Sequence, residues 1–334
     1  MSYSKISVIL PVYNKQKYLL KILQDIKRQK FEEFECIIVD DGSTDDSGRV
    51  SDEFENEDKR FKVIHTQNRG VSHARNEGLM EAHGRYITFI DADDRIDSYY
   101  LKNLYTAACN SNADMVIADY EKWWEGKTEH EKSKVPYVGS KKIEELLPEF
   151  AAVQKKTGIY GFCWGKLIKA ECLYNLRFNE AYVLAEDFEY YLQVYPNINT
   201  IYFDNKSCYF YLQRADNSSM IVEDNKIDYL SQLYLNLKYR EFLTKMAAYV
   251  GENREIVDQL LSDYVFFTVF HSDRSATENC VNQMCYITEK EGITLNGTNM
   301  MQKLIFHFLK KNNGKRVKDI LCLYDFLRKN LRRR

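Results

Sequence analysis

The chain has 334 residues, of which 45% are hydrophobic and 29% are charged, and its formal net charge is −2 at pH 7. This composition is typical of an ordered globular protein and excludes an intrinsically disordered chain. The length exceeds what a single compact core usually holds, so we expect one large domain with an appendage, or two domains.

Alternating strand and helix patterns fill the first 125 residues. Strands are predicted at 6–13, 35–39, 61–65, 86–90 and 114–118, and helices at 17–29, 45–54, 71–82 and 99–109. Strands that alternate with helices of this length predict right-handed crossover connections. The first part of the chain is therefore expected to be an α/β domain with a mostly parallel, doubly wound sheet.

The pattern changes after residue 125. Residues 125–160 are polar and irregular, with one helix near 141–154, and a helix at 186–195 precedes an aromatic, strand-rich stretch at 199–213. From about residue 225 nearly every segment has helical spacing. We therefore predict a first domain of residues 1–222 and a helical C-terminal region of residues 223–334.

The sequence does not favour a membrane-spanning protein or a disulfide-rich protein. No hydrophobic run approaches the length of a transmembrane helix, and the N-terminus begins a strand without a signal-peptide pattern. The eight cysteines are scattered and form no Cys-x-x-Cys pair, which favours free thiols over a zinc site or a disulfide framework. We expect a cytoplasmic protein.

Polar clusters follow four successive predicted strands: Pro11-Val12-Tyr13-Asn14, Asp40 to Asp45, Asn68 to Asn76, and Asp91-Ala92-Asp93-Asp94. Open α/β sheets bind ligands outside the carboxyl ends of their strands, so four such clusters predict a binding cleft. Two carboxylates spaced Asp-x-Asp suit Mg²⁺ or Mn²⁺, which is usually shared with substrate phosphates. The Gly-rich motifs of dinucleotide and P-loop sites are absent from the sequence.

The motifs Pro-Val-Tyr-Asn, Asp-Asp-Gly-Ser-Thr-Asp, Gly-Val-Ser-x-Ala-Arg-Asn-x-Gly-Leu and Asp-Ala-Asp-Asp occur in this order. Together they resemble bacterial family 2 glycosyltransferases of the Rossmann-like GT-A fold, over roughly residues 5–215. The resemblance implies a metal-assisted, inverting transfer of a hexose or N-acetylhexosamine from a UDP-sugar to a hydroxyl of a glycan acceptor. That acceptor would be a polysaccharide, a lipid-linked oligosaccharide or a glycoprotein glycan. Two alternatives stay open: a nucleotidyltransferase, and a non-catalytic glycan- or nucleotide-sugar-binding partner of another transferase.

Within the first domain, the resemblance implies a nucleotide-sugar half at about 1–125 and an acceptor half at about 126–222. It assigns donor binding to ten residues: Pro11, Val12, Tyr13, Asn14, Asp40, Arg75, Asn76, Asp91, Ala92 and Arg214. Asp40 would accept a hydrogen bond from the uracil imide, and Asp93 with Asp91 would hold Mn²⁺ or Mg²⁺. Arg75 would contact the diphosphate or buttress Asp91. Arg214 and the following Asn217-Ser218-Ser219 would form a loop that closes over the diphosphate.

The acceptor half carries the residues Trp164, Lys166, Glu186 and Asp187. The resemblance implies that Asp187 is the general base with Glu186 beside it, and that Trp164 and Lys166 contribute to acceptor binding. The chain departs from the family at Ala185, where many relatives have glycine. Trp123-Trp124 is interpreted equally well as an acceptor platform or as a hydrophobic patch at a strand end.

Charge is distributed unevenly. Residues 301–334 have a net charge of +9, so the other 300 residues sum to −11. Ile320, Leu323, Leu327 and Leu331 recur at helical spacing between the basic residues, which indicates an amphipathic basic helix. That helix would lie on the anionic cytoplasmic face of a membrane, or pack against the catalytic domain or a second subunit of a homo-oligomer. Nucleic-acid binding is disfavoured because the body of the chain is acidic and the basic run is short.

Overall fold

The computed structural model describes residues 4–128, 130–133, 135–214 and 227–331. The chain divides into two compact units, Met1–Ile221 and Val222–Arg334. The first unit is α/β and the second is helical in its described residues.

Ten strands and seven helices are described in the first unit. The strands are β1 (Ile6–Val12), β2 (Phe34–Asp40), β3 (Phe61–His65), β4 (Tyr86–Phe89), β5 (Arg95–Ile96), β6 (Met115–Trp124), β7 (His130–Lys132), β8 (Gly139–Lys142), β9 (Lys166–Lys169) and β10 (Thr200–Gln213). The helices are α1 (Gln16–Lys27), α2 (Ser47–Glu57), α3 (Val71–Glu81), α4 (Tyr100–Ser111), α5 (Ile143–Leu146), α6 (Phe150–Thr157) and α7 (Glu186–Val194).

The strands form one sheet in the order β3-β2-β1-β4-β9-β6-β10-β5. The pairs β3–β2, β2–β1, β1–β4 and β6–β10 are parallel, whereas β9 runs antiparallel to both β4 and β6. The predicted α/β class with a parallel, Rossmann-like core is confirmed, but the sheet as a whole is mixed, because β5, β7, β8 and β9 pair antiparallel. The antiparallel β9 was not predicted, because four residues are too short to show a clear strand period.

The sheet register aligns the ends of three strands that lead into the polar clusters. Val12 pairs with Asp40, and Asp40 pairs with His65, so the carboxyl ends of β1, β2 and β3 lie side by side. β1, β2 and β4 are almost fully buried, as expected for parallel strands covered by helices on both faces. The predicted cleft therefore lies along one edge of a rigid sheet.

The second unit contains α8 (Tyr229–Lys245), α9 (Gly251–Phe270), α10 (Thr277–Lys290), α11 (Met300–Leu309) and α12 (Gly314–Leu331). None of the helices within the described residues is long and apolar enough to span a membrane. In α12 the fully buried side chains are Val317 and Leu321, which lie outside the predicted apolar stripe. Of that stripe, Ile320 is half-buried, and Leu323 and Leu327 are exposed.

Candidate active site

The loops that follow β1 and β2 are bonded to each other. The Asn14 side-chain oxygen accepts from the Thr44 amide at 2.8 Å, and the Asn14 amide donates to Ser43 Oγ at 3.0 Å. Tyr13 is exposed beside them, but Val12 is buried in the sheet. Of the four residues of this motif predicted to bind the donor, Tyr13 and Asn14 are at the surface, Pro11 is half-buried, and Val12 is in the core.

The Asp40 side chain is buried and already bonded on both oxygens. Oδ1 accepts from the Ser43 amide at 3.0 Å, and Oδ2 lies 2.9 Å from His65 Nδ1. His65 Nε2 in turn lies 3.0 Å from Asp52 Oδ1. Bonds to Asp52 and Asp40 raise the pKa of His65, because both carboxylates favour the imidazolium. Asp40 is therefore held in one orientation at the end of β2.

Asp41, which the sequence analysis did not single out, organises the loop into α3. Its carboxylate accepts from the backbone amides of Arg69 at 3.0 Å and Gly70 at 2.7 Å, and from Thr66 Oγ1 at 3.1 Å. Gly70 has a φ of +95°, which favours glycine at this position. The buried Asp41 therefore positions the start of α3 and, with it, Arg75.

Two cations are paired with Asp93, the residue predicted to hold the metal. Its Oδ2 lies 2.5 Å from Lys15 Nζ and 2.5 Å from Arg214 Nη2. Arg214 also donates from Nη1 to the Asp93 carbonyl at 2.6 Å, and its guanidinium lies 4.3 Å from the Tyr18 ring centroid. Arg214 therefore lies beside the residue predicted to hold the metal, and its contact with a diphosphate stays a prediction. Asn217, Ser218 and Ser219 of the same predicted loop lie outside the described residues.

Lys15 was missed by the sequence analysis, although it directly follows the Pro-Val-Tyr-Asn motif. The sequence did offer a reason to expect a cation here, because three carboxylates in one cleft need nearby positive charge to offset their mutual repulsion. A lysine in a neighbouring strand-end loop meets that requirement. Because a lysine side chain is long and flexible, its carboxylate partner can be identified only once the fold is known.

Hydrogen bonds to Tyr209 and Leu212 fix the turn formed by Asp91 to Asp94. The Tyr209 hydroxyl donates to Asp94 Oδ2 at 2.7 Å and accepts from the Asp91 amide at 3.1 Å. The Leu212 amide donates to Asp94 Oδ1 at 2.9 Å. Burial raises the pKa of Asp94 well above its usual range, and the charges of Asp91 and Asp93 add to that effect. Tyr209 thus holds this turn in place, a role that the sequence alone did not indicate.

Arg75 is buried and joins the two halves of the domain. Its Nη1 donates to Glu186 Oε1 at 2.8 Å, and its Nη2 donates to Asp91 Oδ1 at 3.3 Å. The predicted alternative in which Arg75 buttresses Asp91 is thus what the structure displays. Asn76 bonds through both ends of its amide to the Phe178 backbone, at 2.9 and 2.8 Å. Asn76 therefore anchors the backbone at Phe178 to α3, and its donor contact stays a prediction.

Asp187 lies in the first turn of α7, next to Glu186. Its Oδ1 accepts from the Phe188 amide at 2.7 Å. Burial, with repulsion from Glu186, raises the pKa of Asp187 to about 7, and the charge of Arg75 acts in the opposite direction. A carboxylate with a pKa near neutrality can both take up and release a proton at physiological pH.

Ala185, the residue before α7, has a φ of +60°. This is the left-handed region that glycine adopts without steric cost, which explains why many relatives have glycine here. The alanine accepts the strain, and α7 still begins at Glu186 with both carboxylates in its first turn.

Trp164 and Lys166, the residues predicted to bind the acceptor, are both buried. Trp164 is 4% exposed and stacks on Tyr209, with ring centroids 4.7 Å apart and an interplanar angle of 4°. Lys166 is fully buried, donates to the Phe162 carbonyl and lies 4.4 Å from the Tyr191 ring centroid. Burial lowers the pKa of Lys166 to about 7. Both side chains are buried in this structure, and their acceptor contact stays a prediction.

The residues present allow a test of the predicted metal site. Among the described residues, no group of three or more His, Cys, Asp or Glu side chains is arranged to hold an ion. Asp91 and Asp93 alone are two carboxylates, the number that Mg²⁺ commonly takes from a protein when phosphate oxygens complete its shell. The donor set therefore fits a cation shared with a phosphorylated substrate and does not fit an all-protein metal cage.

Comparison with known proteins identifies relatives. Residues 7–168 match the model of glycosyl transferase family 2. The glycosyltransferase GlyA of Streptococcus pneumoniae is 35% identical over 227 residues, covering 65% of this chain and 32% of that protein. The cholesterol galactosyltransferase of Borreliella burgdorferi is 26% identical over 293 residues, covering 86% of this chain and 80% of that protein. The chain thus spans about a third of GlyA and most of the galactosyltransferase.

Solved structures show the same fold. The S. aureus TarS fragment 1–349 in complex with UDP-GlcNAc matches with a TM-score of 0.66 at 19% identity, covering 96% of this chain and 91% of that chain. The same fragment in complex with UDP matches with a TM-score of 0.63. The family match, the named relatives and the sheet with its strand-end site agree. Residues 7–168 are therefore similar to glycosyl transferase family 2 domains, and the chain shares the fold of the TarS fragment.

Proposed function

We propose that this chain transfers a hexose or N-acetylhexosamine from a UDP-sugar to a hydroxyl of a glycan acceptor, with inversion at the anomeric carbon. The observation that carries the proposal is the pair of bonds from Arg75 to Asp91 and Glu186. These bonds bring the strand-end carboxylates and the start of α7 to one place. UDP and UDP-GlcNAc bound in TarS, which shares the fold, support a UDP-sugar as the donor.

The donor would lie across the strand ends of β1, β2 and β4. In this proposal the Asp40 carboxylate, held at the end of β2 by Ser43 and His65, would accept a hydrogen bond from the uracil imide. Tyr13 and Asn14 are the surface residues of the neighbouring loop. Lys15 and Arg214, which are paired with Asp93, can donate to diphosphate oxygens.

Asp91 and Asp93 would hold Mn²⁺ or Mg²⁺ together with the two phosphates of the donor. When bound, the cation supplies Lewis-acid neutralisation of the charge that grows on the departing UDP. The chain adds its own positive charge at the same place through Lys15 and Arg214. Asp94 is fully bonded to Tyr209 and Leu212, so it supports the turn and is not proposed as a ligand.

The chemistry is a single displacement. Asp187 takes the proton of the acceptor hydroxyl as its oxygen forms the new bond to the anomeric carbon. The bond from that carbon to the diphosphate oxygen breaks at the same time, and UDP leaves with the electron pair. Glu186, bonded to Arg75, fixes the first turn of α7 and so the position of Asp187.

We place this reaction in the cytoplasm. The seven cysteines whose side chains are described are all free, which suits a reducing compartment.

The experiment that tests the proposal is UDP release from a panel of UDP-sugars, with Mn²⁺ and with EDTA. We expect slow release from one donor in the presence of Mn²⁺, lost with EDTA and lost in Asp93→Asn. Asp46→Asn is the matched control, because Asp46 is an exposed carboxylate of the same half paired only loosely with Arg49, at 3.4 Å. Pyrophosphate release from a nucleoside triphosphate would instead show a nucleotidyltransferase. Tight UDP-sugar binding without release, even with acceptor glycans added, would show a binding partner.

A further inference from the structure

Helix α12 has a second apolar face that the fold leaves uncovered. Val317 and Leu321 are fully buried within the second unit. Leu323, Phe326 and Leu327 are 58%, 62% and 51% exposed. Residues three and four positions apart lie on the same side of a helix, so these three side chains form one patch. An exposed cluster of two leucines and a phenylalanine on one helix marks an interaction surface.

The orientation of α12 is fixed by contacts on its other side. Asp325 is paired with Arg274, with Nε and Oδ2 2.8 Å apart, and Lys318 Nζ lies 3.4 Å from Glu278 Oε1. Val317, next to Lys318, and Leu321, between the two pairs, are both fully buried. The patch of Leu323, Phe326 and Leu327 therefore cannot turn into the core without breaking these contacts.

Basic residues precede and follow the patch along α12. Lys315 and Arg316 are exposed two to three turns before it, and Arg328 and Lys329 are exposed directly after it. Asp319 is the acidic residue on the exposed side between them. The segment 301–334 has a net charge of +9, against −11 for the rest of the chain. Apolar side chains flanked by lysine and arginine along one helix match the pattern of helices that lie in a membrane interface.

We propose that the exposed face of α12 docks on an anionic phospholipid surface. Leu323, Phe326 and Leu327 enter the boundary between headgroups and acyl chains, and the flanking basic residues bind lipid phosphates. A second copy of the chain is a poorer occupant, because a two-fold interface would bring two segments of charge +9 together. The inference is independent of which sugar is transferred.

Vesicle co-sedimentation of the full chain tests this proposal. We expect binding to vesicles of phosphatidylcholine with phosphatidylglycerol, weak binding to phosphatidylcholine alone, and release by high salt. The triple variant Leu323→Ser, Phe326→Ser, Leu327→Ser removes the patch at exposed positions and should bind at least tenfold more weakly. The double variant Val138→Ser, Val250→Ser is the control, because both valines are 65% exposed and lie outside α12.

Equal sedimentation of the triple variant and the wild type would overturn the proposal, as would failure of the wild type to bind anionic vesicles. Circular dichroism melting of each variant checks that the fold is kept. Light scattering after gel filtration tests the second copy. A wild-type dimer that the triple variant converts to a monomer, without vesicle binding, would assign the face to self-association and reject the membrane.

Discussion

Arg75 Nη1 lies 2.8 Å from Glu186 Oε1, although the two residues are 111 positions apart in the sequence. Arg75 belongs to α3, which follows the third strand of the sheet, and Glu186 begins α7 in the half proposed to bind the acceptor. The same guanidinium reaches Asp91 at 3.3 Å. The buried Arg75 guanidinium thus connects Asp91, one of the carboxylates proposed to bind the donor, to α7, the helix that bears the proposed base.

The first prediction concerns this connection. Arg75→Met leaves Glu186 and Asp91 without their buried counter-charge, so we expect the free energy of unfolding to fall by about 3 kcal/mol. Turnover should fall on the order of 10²-fold, because α7 loses its tie to Asp91. Denaturant unfolding and steady-state kinetics measure both effects.

Arg69→Met is the matched control, since Arg69 pairs with Glu180 at 2.7 Å while remaining largely exposed. An exposed pair of this kind contributes at most about 1 kcal/mol. If Arg75→Met is no more destabilising than Arg69→Met, Arg75 does not hold the two halves together.

The second prediction concerns the proposed base. Asp187→Asn keeps the size of the side chain and removes its capacity to accept a proton, so we expect turnover to fall on the order of 10²-fold or more. UDP binding, measured by calorimetry, should be nearly unchanged, because the substitution alters the acceptor side. Wild-type transfer rates in this variant would show that another residue is the base.

The third prediction concerns pH. A base with a pKa of about 7 is active when deprotonated, so turnover should rise with pH and reach half its maximum near pH 7. The free energy of unfolding should instead fall as the pH rises. The folded pKa of Asp187 is raised above the unfolded value, so its contribution to folding is complete at low pH and is lost as the pH rises through 7.

Asp187→Asn has no such titration. Between pH 5 and pH 8 the free energy of unfolding of the wild type should therefore fall by about 1 to 3 kcal/mol relative to this variant. Denaturant titrations of both proteins at the two pH values give the difference. A constant difference would place the pKa of Asp187 outside this range.

The fourth prediction concerns Lys15. Removing its ammonium group in Lys15→Met takes away one of the two cations paired with Asp93, and so one donor to the proposed diphosphate. We expect the KM for the UDP-sugar to rise about tenfold, the effect of losing one charge-assisted hydrogen bond. Lys17→Met is the control, because Lys17 is exposed and pairs with Glu125. Equal KM values for the two variants would exclude Lys15 from donor binding.

The sequence by itself determined the α/β class and the places where polar residues leave the strands. A strand and the loop that follows it are one local segment, so Asp40, Asp91 and Asp93 could be assigned to the sheet edge before the fold was known. The alternation of strands and helices likewise predicted the parallel core. The same local reasoning placed Asp187 at the start of a helix, where the structure has it.

Only the tertiary structure decided what each of these side chains contacts. Trp164 and Lys166 belong to a motif predicted to bind the acceptor, yet the antiparallel insertion of β9 buries them behind Tyr209 and Tyr191. Asn76 bonds to the Phe178 backbone, and Lys15 reaches Asp93, 78 positions away. Burial and hydrogen bonding depend on distances between segments remote in sequence, and hydrophobic periodicity describes only neighbours along the chain. For that reason the sequence could predict candidate residues such as Asp91, Asp93 and Asp187, whereas their contacts, and the roles of Lys15, Asp41 and Tyr209, depended on the fold.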